Sequence, residues 1–290
     1  MAVRGLVRGL RTLAIGLAAS LATDASSAEP STRSGRLIWQ DEFSADLRQV
    51  TPDFGLWRFE TGNGGPALPG WGNREQQYYT GSPRNLAIRD GMLVVTAVAL
   101  DPSRPDGPGP TSARLMSRPG ILPRLGLFEI RARLPCGRGV WPAVWMLGEE
   151  GPWPDRGEID IAEWAGAFFE VDELQMALHD RARHGANPRL VRFPIQGGCG
   201  QFHVYRLWRT EREVRIAVDG DADEAKLVHR SEGATDSLSW PYAQPFQLIF
   251  NVAIGGDLGG PLDSSGPETY ALEVDYVRVY ALEDIGEARP

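Results

Sequence analysis

Hydrophobic and polar positions alternate with a period of two along most of the chain after residue 28. No stretch there carries a long apolar stripe at the helical period of 3.6. Residues 127–134 show the pattern most plainly. Phe128, Ile130, Ala132 and Leu134 fall on one side, and Glu129, Arg131 and Arg133 on the other, as in a half-buried strand. Further strands are expected at 37–39, 202–208, 214–218, 246–254 and 273–280. Between 85 and 98, Asp90-Gly91 separates Leu86 and Ile88 from Leu93-Val94-Val95-Thr96, the signal of a tight hairpin. Residues 140–147 are almost continuously apolar, as an inner strand covered on both faces would be. Three Gly/Pro-rich stretches, 61–72, 101–110 and 255–267, predict loops, the second a flexible surface excursion. Short strands joined by such turns, with no repeat and no linker, indicate one β-sandwich domain.

The first 28 residues break this pattern. Arg4, Arg8 and Arg11 lead into an apolar run at 13–22, and Ser26-Ser27-Ala28 offers small residues for cleavage after Ala28. That run is too short to span a bilayer and reads as an export signal, leaving 29–290 as the single mature domain, secreted or periplasmic. An unstructured or helical tail is the plain alternative. No later segment has 18 consecutive apolar residues, so no membrane contact is expected after cleavage. Cys136 and Cys199 both fall in the mature part. In an oxidising compartment they can form one disulfide, worth about 4 kcal/mol in the chain-entropy account. Two separate buried thiols are the other reading. Acids outnumber bases, 38 to 30, for a net charge of −8, which argues against a nucleic-acid partner. Nine tryptophans is a high count and hints at a ligand with flat apolar faces.

The densest chemistry lies at 157–164, Gly-Glu-Ile-Asp-Ile-Ala-Glu-Trp. On a strand Glu158 and Asp160 share a face, but Glu163, five residues from Glu158, has the wrong parity. One extra residue, a β-bulge near Ile161-Ala162, would restore it. The carboxyl groups of Glu158 and Glu163 would then lie about 5–6 Å apart, a spacing suited to a retaining glycosidase. Asp160 between them would help set their protonation. A solvated acidic edge strand and a calcium site remain alternatives for the same three acids. Trp141, Trp145, Trp153 and Trp164 lie close in sequence and favour a sugar cleft, although core packing is the plain reading for one of Trp141 and Trp145.

At these residues the sequence resembles glycoside hydrolase family sixteen, of the laminarinase-like endo-β-1,3-glucanase type. The signature Glu-x-Asp-x-x-Glu is matched by Glu158, Asp160 and Glu163, with Trp153-Pro154-x-x-Gly157 leading in. Blocks at 37–43, 71–80, 111–114, 128–147, 202–205, 218–220, 246–256 and 274–280 agree in order, so the match spans about 36–281. The resemblance implies a β-jelly roll of two curved antiparallel sheets with a concave substrate cleft. It implies Glu158 as nucleophile, Asp160 as its helper and Glu163 as general acid/base. It places Asn73, Arg114, Trp141, Trp145, Trp153 and His179 at the substrate. No cofactor is implied for the chemistry. A structural calcium would fall at Glu42, the Gly91 carbonyl and Asp275, with a salt bridge to a neighbouring arginine as the plain alternative for both acids.

The implied partner is a β-glucan polysaccharide, bound by a monomeric chain. Departures from the family pattern are Leu207, where a Glu is common before Trp208, the loops at 61–70 and 101–110, and Arg181, Arg183, His184 and Arg189 after His179. They touch the cleft walls and bear on linkage, not on reaction type. Competing readings are a same-fold hydrolase or transglycosylase on agar, carrageenan or an exopolysaccharide, and a non-catalytic glycan-binding jelly roll.

Overall fold

Alternation carries through into structure as strands. The protein is represented by a computed structural model that describes residues 35–43, 50–233 and 240–282; the expected export segment 1–28 lies outside them. In chain order the strands are β1 (Leu37–Asp41), β2 (Trp57–Glu60), β3 (Tyr78–Tyr79), β4 (Leu86–Arg89), β5 (Met92–Asp101) and β6 (Gly109–Ser112). Then come β7 (Arg114–Ser117), β8 (Gly126–Arg133), β9 (Val140–Gly148), β10 (Glu158–Glu163), β11 (Glu173–His179) and β12 (Arg189–Pro194). The last are β13 (Phe202–Arg209), β14 (Glu213–Val218), β15 (Leu227–Arg230), β16 (Phe246–Ile254) and β17 (Thr269–Tyr280).

They form two sheets. The ten-stranded sheet runs β15-β14-β13-β8-β17-β5-β6-β3, with β1 on β17 and β4 on β5; the seven-stranded sheet runs β12-β11-β10-β9-β16-β7-β2. Pairing is antiparallel except for the short parallel contact of β3 with β6. Inward residues of both sheets, among them Leu93, Val95, Phe128 and Ile130 on one side and Val144, Met146, Ile159 and Phe250 on the other, make one buried cluster. This is the β-sandwich that the pattern indicated and the jelly roll of two curved sheets that the family resemblance implied. The outer face of the seven-stranded sheet is the concave one and carries the cleft.

Several local expectations hold. Asp90 and Gly91 both take positive φ (52° and 76°), as a two-residue primed turn between β4 and β5 requires. Phe128, Ile130 and Ala132 on β8 are fully buried. Two expectations need correction. Strand β9 is central but not covered on both faces, because Trp141 and Trp145 stand half-buried on the cleft side. The 101–110 segment is a tied hairpin loop rather than a loose excursion. Buried Asp101 accepts hydrogen bonds from the Ser103 amide and hydroxyl and from Thr111, while Arg104 bonds the carbonyls of Gln76 and Pro110.

Cys136 and Cys199 are joined as a disulfide, with Cα atoms 5.8 Å apart. The loop carrying Cys199 is also held by His203, whose Nδ1 lies 2.5 Å from Asp219 Oδ2 and whose Nε2 lies 3.0 Å from the Gly198 carbonyl. Both ring nitrogens face acceptors, so the ring is satisfied only as an imidazolium. The Asp219 contact raises its pKa against the opposing effect of burial. Arg206, the other charged group nearby on β13, is engaged by Glu129 and the Gly220 carbonyl, and the Tyr205 ring lies 6.2 Å from the imidazole at a tilt of 57°. A raised folded-state pKa gives stability that is complete below the unfolded value and fades as pH rises through the folded one. The melting temperature of His203→Gln is therefore expected to fall furthest below the parent near pH 6 and to approach it above pH 9. An equal deficit at both pH values would refute the charged latch.

Candidate active site

Residues of the seven-stranded sheet that share one cross-strand row supply the polar floor of the cleft. Glu60 on β2 pairs with Arg114 on β7, Arg114 with Asn251 on β16, Asn251 with Ala143 on β9, Ala143 with Glu163 on β10, and Glu163 with Gln175 on β11. A second row sets Gln247 opposite Leu147, Leu147 opposite Glu158, and Glu158 opposite His179. Register alone thus gathers residues that are up to 191 apart in number, as Glu60 and Asn251 are.

The bulge expected on the carboxylate strand is present. Asp160 pairs with Trp145 and Ala162 with Val144, so Ile161 is the extra residue; against β11 the shift falls between Asp160 and Glu163. Ile159, Ile161 and Ala162 are fully buried in the core, and the three acids share the cleft face. Gly157 leads the strand in with φ of 72°, and a Cβ there would come within 2.9 Å of Pro241. Glycine is the residue that fits that turn.

Each acid has defined partners. Glu158 accepts from Trp153 Nε1 at 3.0 Å, and His179 Nε2 lies 3.7 Å from its other oxygen. Glu163 accepts from Trp141 Nε1 at 2.8 Å and from Gln175 Nε2 at 3.0 Å. Asp160 is buried, with His179 Nε2 3.1 Å from Oδ2. Burial, followed by the charges of its neighbours, pushes Glu158 up to about 8. Burial and the nearness of Glu163 hold Asp160 well above the usual carboxylate range. Glu163 is also raised by burial, against the opposing hydrogen bonds of Gln175 and Trp141. Three carboxyls this close in a dry strand cannot all be charged at neutral pH, so the strip retains protons.

The expected substrate residues converge on this face. Trp141 and Trp145 are both cleft residues; Trp145 donates to Asn251 Oδ1 at 2.7 Å. The guanidinium of Arg114 lies 4.8 Å from the ring centres of both Trp71 and Trp145, with Nε 2.9 Å from Glu60. Trp153 is 46% exposed, the most open tryptophan of the cleft, and His184 meets its ring edge-on at 5.4 Å. Trp164 instead belongs to the core, its indole bonded to the Glu170 carbonyl. Asn73 donates to Glu75, two residues on, which also accepts from Gln77 and the Tyr79 hydroxyl. Of the expected calcium ligands, Glu42 receives both Nε and Nη2 of Arg278 at 2.7 and 2.9 Å, and Asp275 receives Arg131 at 2.6 Å. These carboxylates fit ion pairing; a cation joining them to the Gly91 carbonyl would have to displace both guanidinium groups.

Sequence reading passes over Gln175 and Glu60, while Glu75, Tyr79 and Asn251 lie in the matched blocks 71–80 and 246–256 without a role. Parity could have found Gln175, which lies four residues before His179 on the same strand face. Asn251 and Gln247 are the polar positions in an otherwise apolar strand, itself a signal. Behind the site, buried Asp180 accepts from Tyr242 at 3.0 Å and from Arg189, fixing the turn that follows His179.

A sheet face with three converging carboxyls among indoles defines a polysaccharide-processing jelly roll, and comparison with known proteins agrees. The family model described as XgeA-like, catalytic GH16 domain matches residues 81–190. The chain is 38% identical over 258 residues to the beta-glucanase of Rhodothermus marinus, covering 84% of each. It superimposes on the laminarinase catalytic domain of Thermotoga maritima MSB8 with a TM-score of 0.74 and 34% identity, covering 86% of this chain and 98% of that one. SCLam, a non-specific endo-beta-1,3(4)-glucanase, gives 0.74 and 35%, covering 87% and 92%. The protein belongs to glycoside hydrolase family 16 and is a glycoside hydrolase.

Proposed function

We propose that the protein is a secreted or periplasmic endo-glucanase that cleaves β-1,3- or mixed β-1,3/1,4-glucan with retention of anomeric configuration. The observation that carries this is the bulge, which sets Glu158 and Glu163 on one face at either end of a three-acid strip, each held by an indole N–H. The relatives named as beta-glucanase, laminarinase and endo-beta-1,3(4)-glucanase support the substrate class. The basic and apolar pattern of 1–28 supports export.

Glu158 attacks the anomeric carbon and forms a glycosyl ester, while Glu163 gives its proton to the departing glycosidic oxygen. Water then enters the vacated position and Glu163 takes its proton as water attacks the same carbon, restoring both carboxyl groups. Asp160 shares the protons retained by the strip with Glu158 and Glu163, so that its charge, when ionised, holds Glu158 up, and His179 steadies the charge on Glu158. Trp141, Trp145 and Trp153 offer flat faces to the sugar rings, with Arg114 fixed between Trp71 and Trp145. The test is reducing-sugar release from laminarin, mixed-linkage β-glucan, agar and carrageenan, with the first-formed anomer read by proton NMR. β-Glucan cleavage to β-anomers is expected. Release from agar or carrageenan alone, or α-anomers, would overturn the reading.

The acid strip also sets the pH profile. The charge of Asp160 is, after burial, the largest contribution holding Glu158 up near 8. Asp160→Asn removes that charge, so Glu158 ionises at lower pH. The acidic limb of kcat/KM should move to lower pH even as kcat falls; a limb that stays or moves upward would contradict the shared-proton account.

A further inference from the structure

We propose that Glu158, Asp160 and His179 form a binding site for one divalent cation of the zinc type, and that filling it shuts the cleft. The three side chains offer ligand atoms that all lie within 4.8 Å of one another. His179 Nε2 is 3.1 Å from Asp160 Oδ2 and 3.7 Å from Glu158 Oε1. Tetrahedral zinc with bonds near 2.0–2.1 Å separates its ligand atoms by about 3.4 Å, so these gaps bracket what the ion needs.

Burial adds to that spacing. Asp160 is 4% exposed, and its Oδ2 faces the His179 imidazole nitrogen at 3.1 Å inside the sheet. Two carboxyl groups and an imidazole gathered in a buried position are held together either by the protons the strip retains or by a cation that replaces them. The backbone holds the trio ready. Glu158 is in register with His179 across the β10–β11 pair, and Asp160 follows two residues along the same face.

Ligand chemistry selects the ion. One imidazole and two carboxylates suit zinc or copper, whereas calcium and magnesium take oxygen ligands. Three protein ligands leave a fourth position open to water. His179 Nδ1 has no partner among the described residues, so the ring lacks the outer support of a dedicated metal enzyme, and binding should be reversible by chelators. Blocking of hydrolysis rests on Glu158 being the nucleophile; the binding itself does not.

The test uses the whole chain, stripped with a chelator and titrated with zinc chloride by calorimetry, with cobalt(II) absorption to report a tetrahedral site. One ion per chain is expected. Glu158→Gln and His179→Gln should each weaken binding by at least about tenfold. Both are close in shape to the parent, and an unchanged near-UV spectrum verifies their folding. His184→Gln removes the exposed imidazole near Trp153 and should leave zinc affinity as it was. On laminarin, zinc should raise KM with kcat unchanged, reversed by EDTA. No stoichiometric binding, unaltered binding in the two trio variants, or loss with His184→Gln would each overturn the site. Full turnover with zinc bound would overturn the blocking role. Trio-dependent binding in a chain that cleaves no β-glucan would uphold the site and defeat the functional reading instead.

Discussion

Glu158→Gln is expected to lower kcat/KM on laminarin by about 10⁴-fold or more, the scale seen when a nucleophile is removed. The side chain keeps its shape, and Trp153 still has an oxygen to donate to, so the loss measures chemistry rather than collapse. Added azide separates the two glutamates. With Glu158→Ala and a substrate carrying a good leaving group, azide enters from the face the carboxylate left and gives an α-glycosyl azide in one displacement. With Glu163→Ala the glycosyl-enzyme still forms through Glu158, azide opens it, and the product is the β-glycosyl azide. Product NMR reads the difference directly. The reverse pattern would exchange the roles of the two acids.

Removing the disulfide should have the largest effect on stability. Cys136 and Cys199 are separated by 63 residues, and closing a loop of that size stabilises the fold by about 4 kcal/mol in the chain-entropy account. For a domain of this size that corresponds to about 8–16 °C in melting temperature. The loop encloses β9, β10, β11 and β12, and so includes the whole catalytic strand and both of its neighbours. Calorimetry of Cys136→Ser/Cys199→Ser, and of the parent in reductant, should show matching decreases. A double variant melting within a degree or two of the parent would show that the core alone carries these strands.

Much of the site was legible because strand parity is a strict rule. Two facts, Glu158 with Asp160 and Glu163 out of phase, required a bulge, and Ile161 supplies it. Strands with strong alternation, such as β8 and β17, could be read directly. The short strands β2, β7 and β12 could not, because four to six residues with mixed polarity carry little periodic signal. Partners such as Gln175 and Glu60 were hidden for a different reason. Their place in the cleft depends on which strands are neighbours in the seven-stranded sheet, and pairing order is a property of topology that no local window contains. Trp164 misled because nearness in sequence to Glu163 places it on the opposite face, against the core.

The bulge at Ile161 also divides the catalytic strand into two reading frames. Upstream of it even-numbered residues face the sugar, and downstream the odd-numbered Glu163 does. Deleting Ile161 would remove the extra residue and leave all three acids in one regular frame on the cleft face, whereas one more residue between Asp160 and Glu163 would turn the third acid into the hydrophobic interior, where Ile159 and Ile161 now pack. The acid/base is therefore specified by a count as much as by its identity. Substitutions along this stretch can be absorbed singly, and the loss of the extra residue keeps the frame, whereas an added residue is a frameshift written in protein.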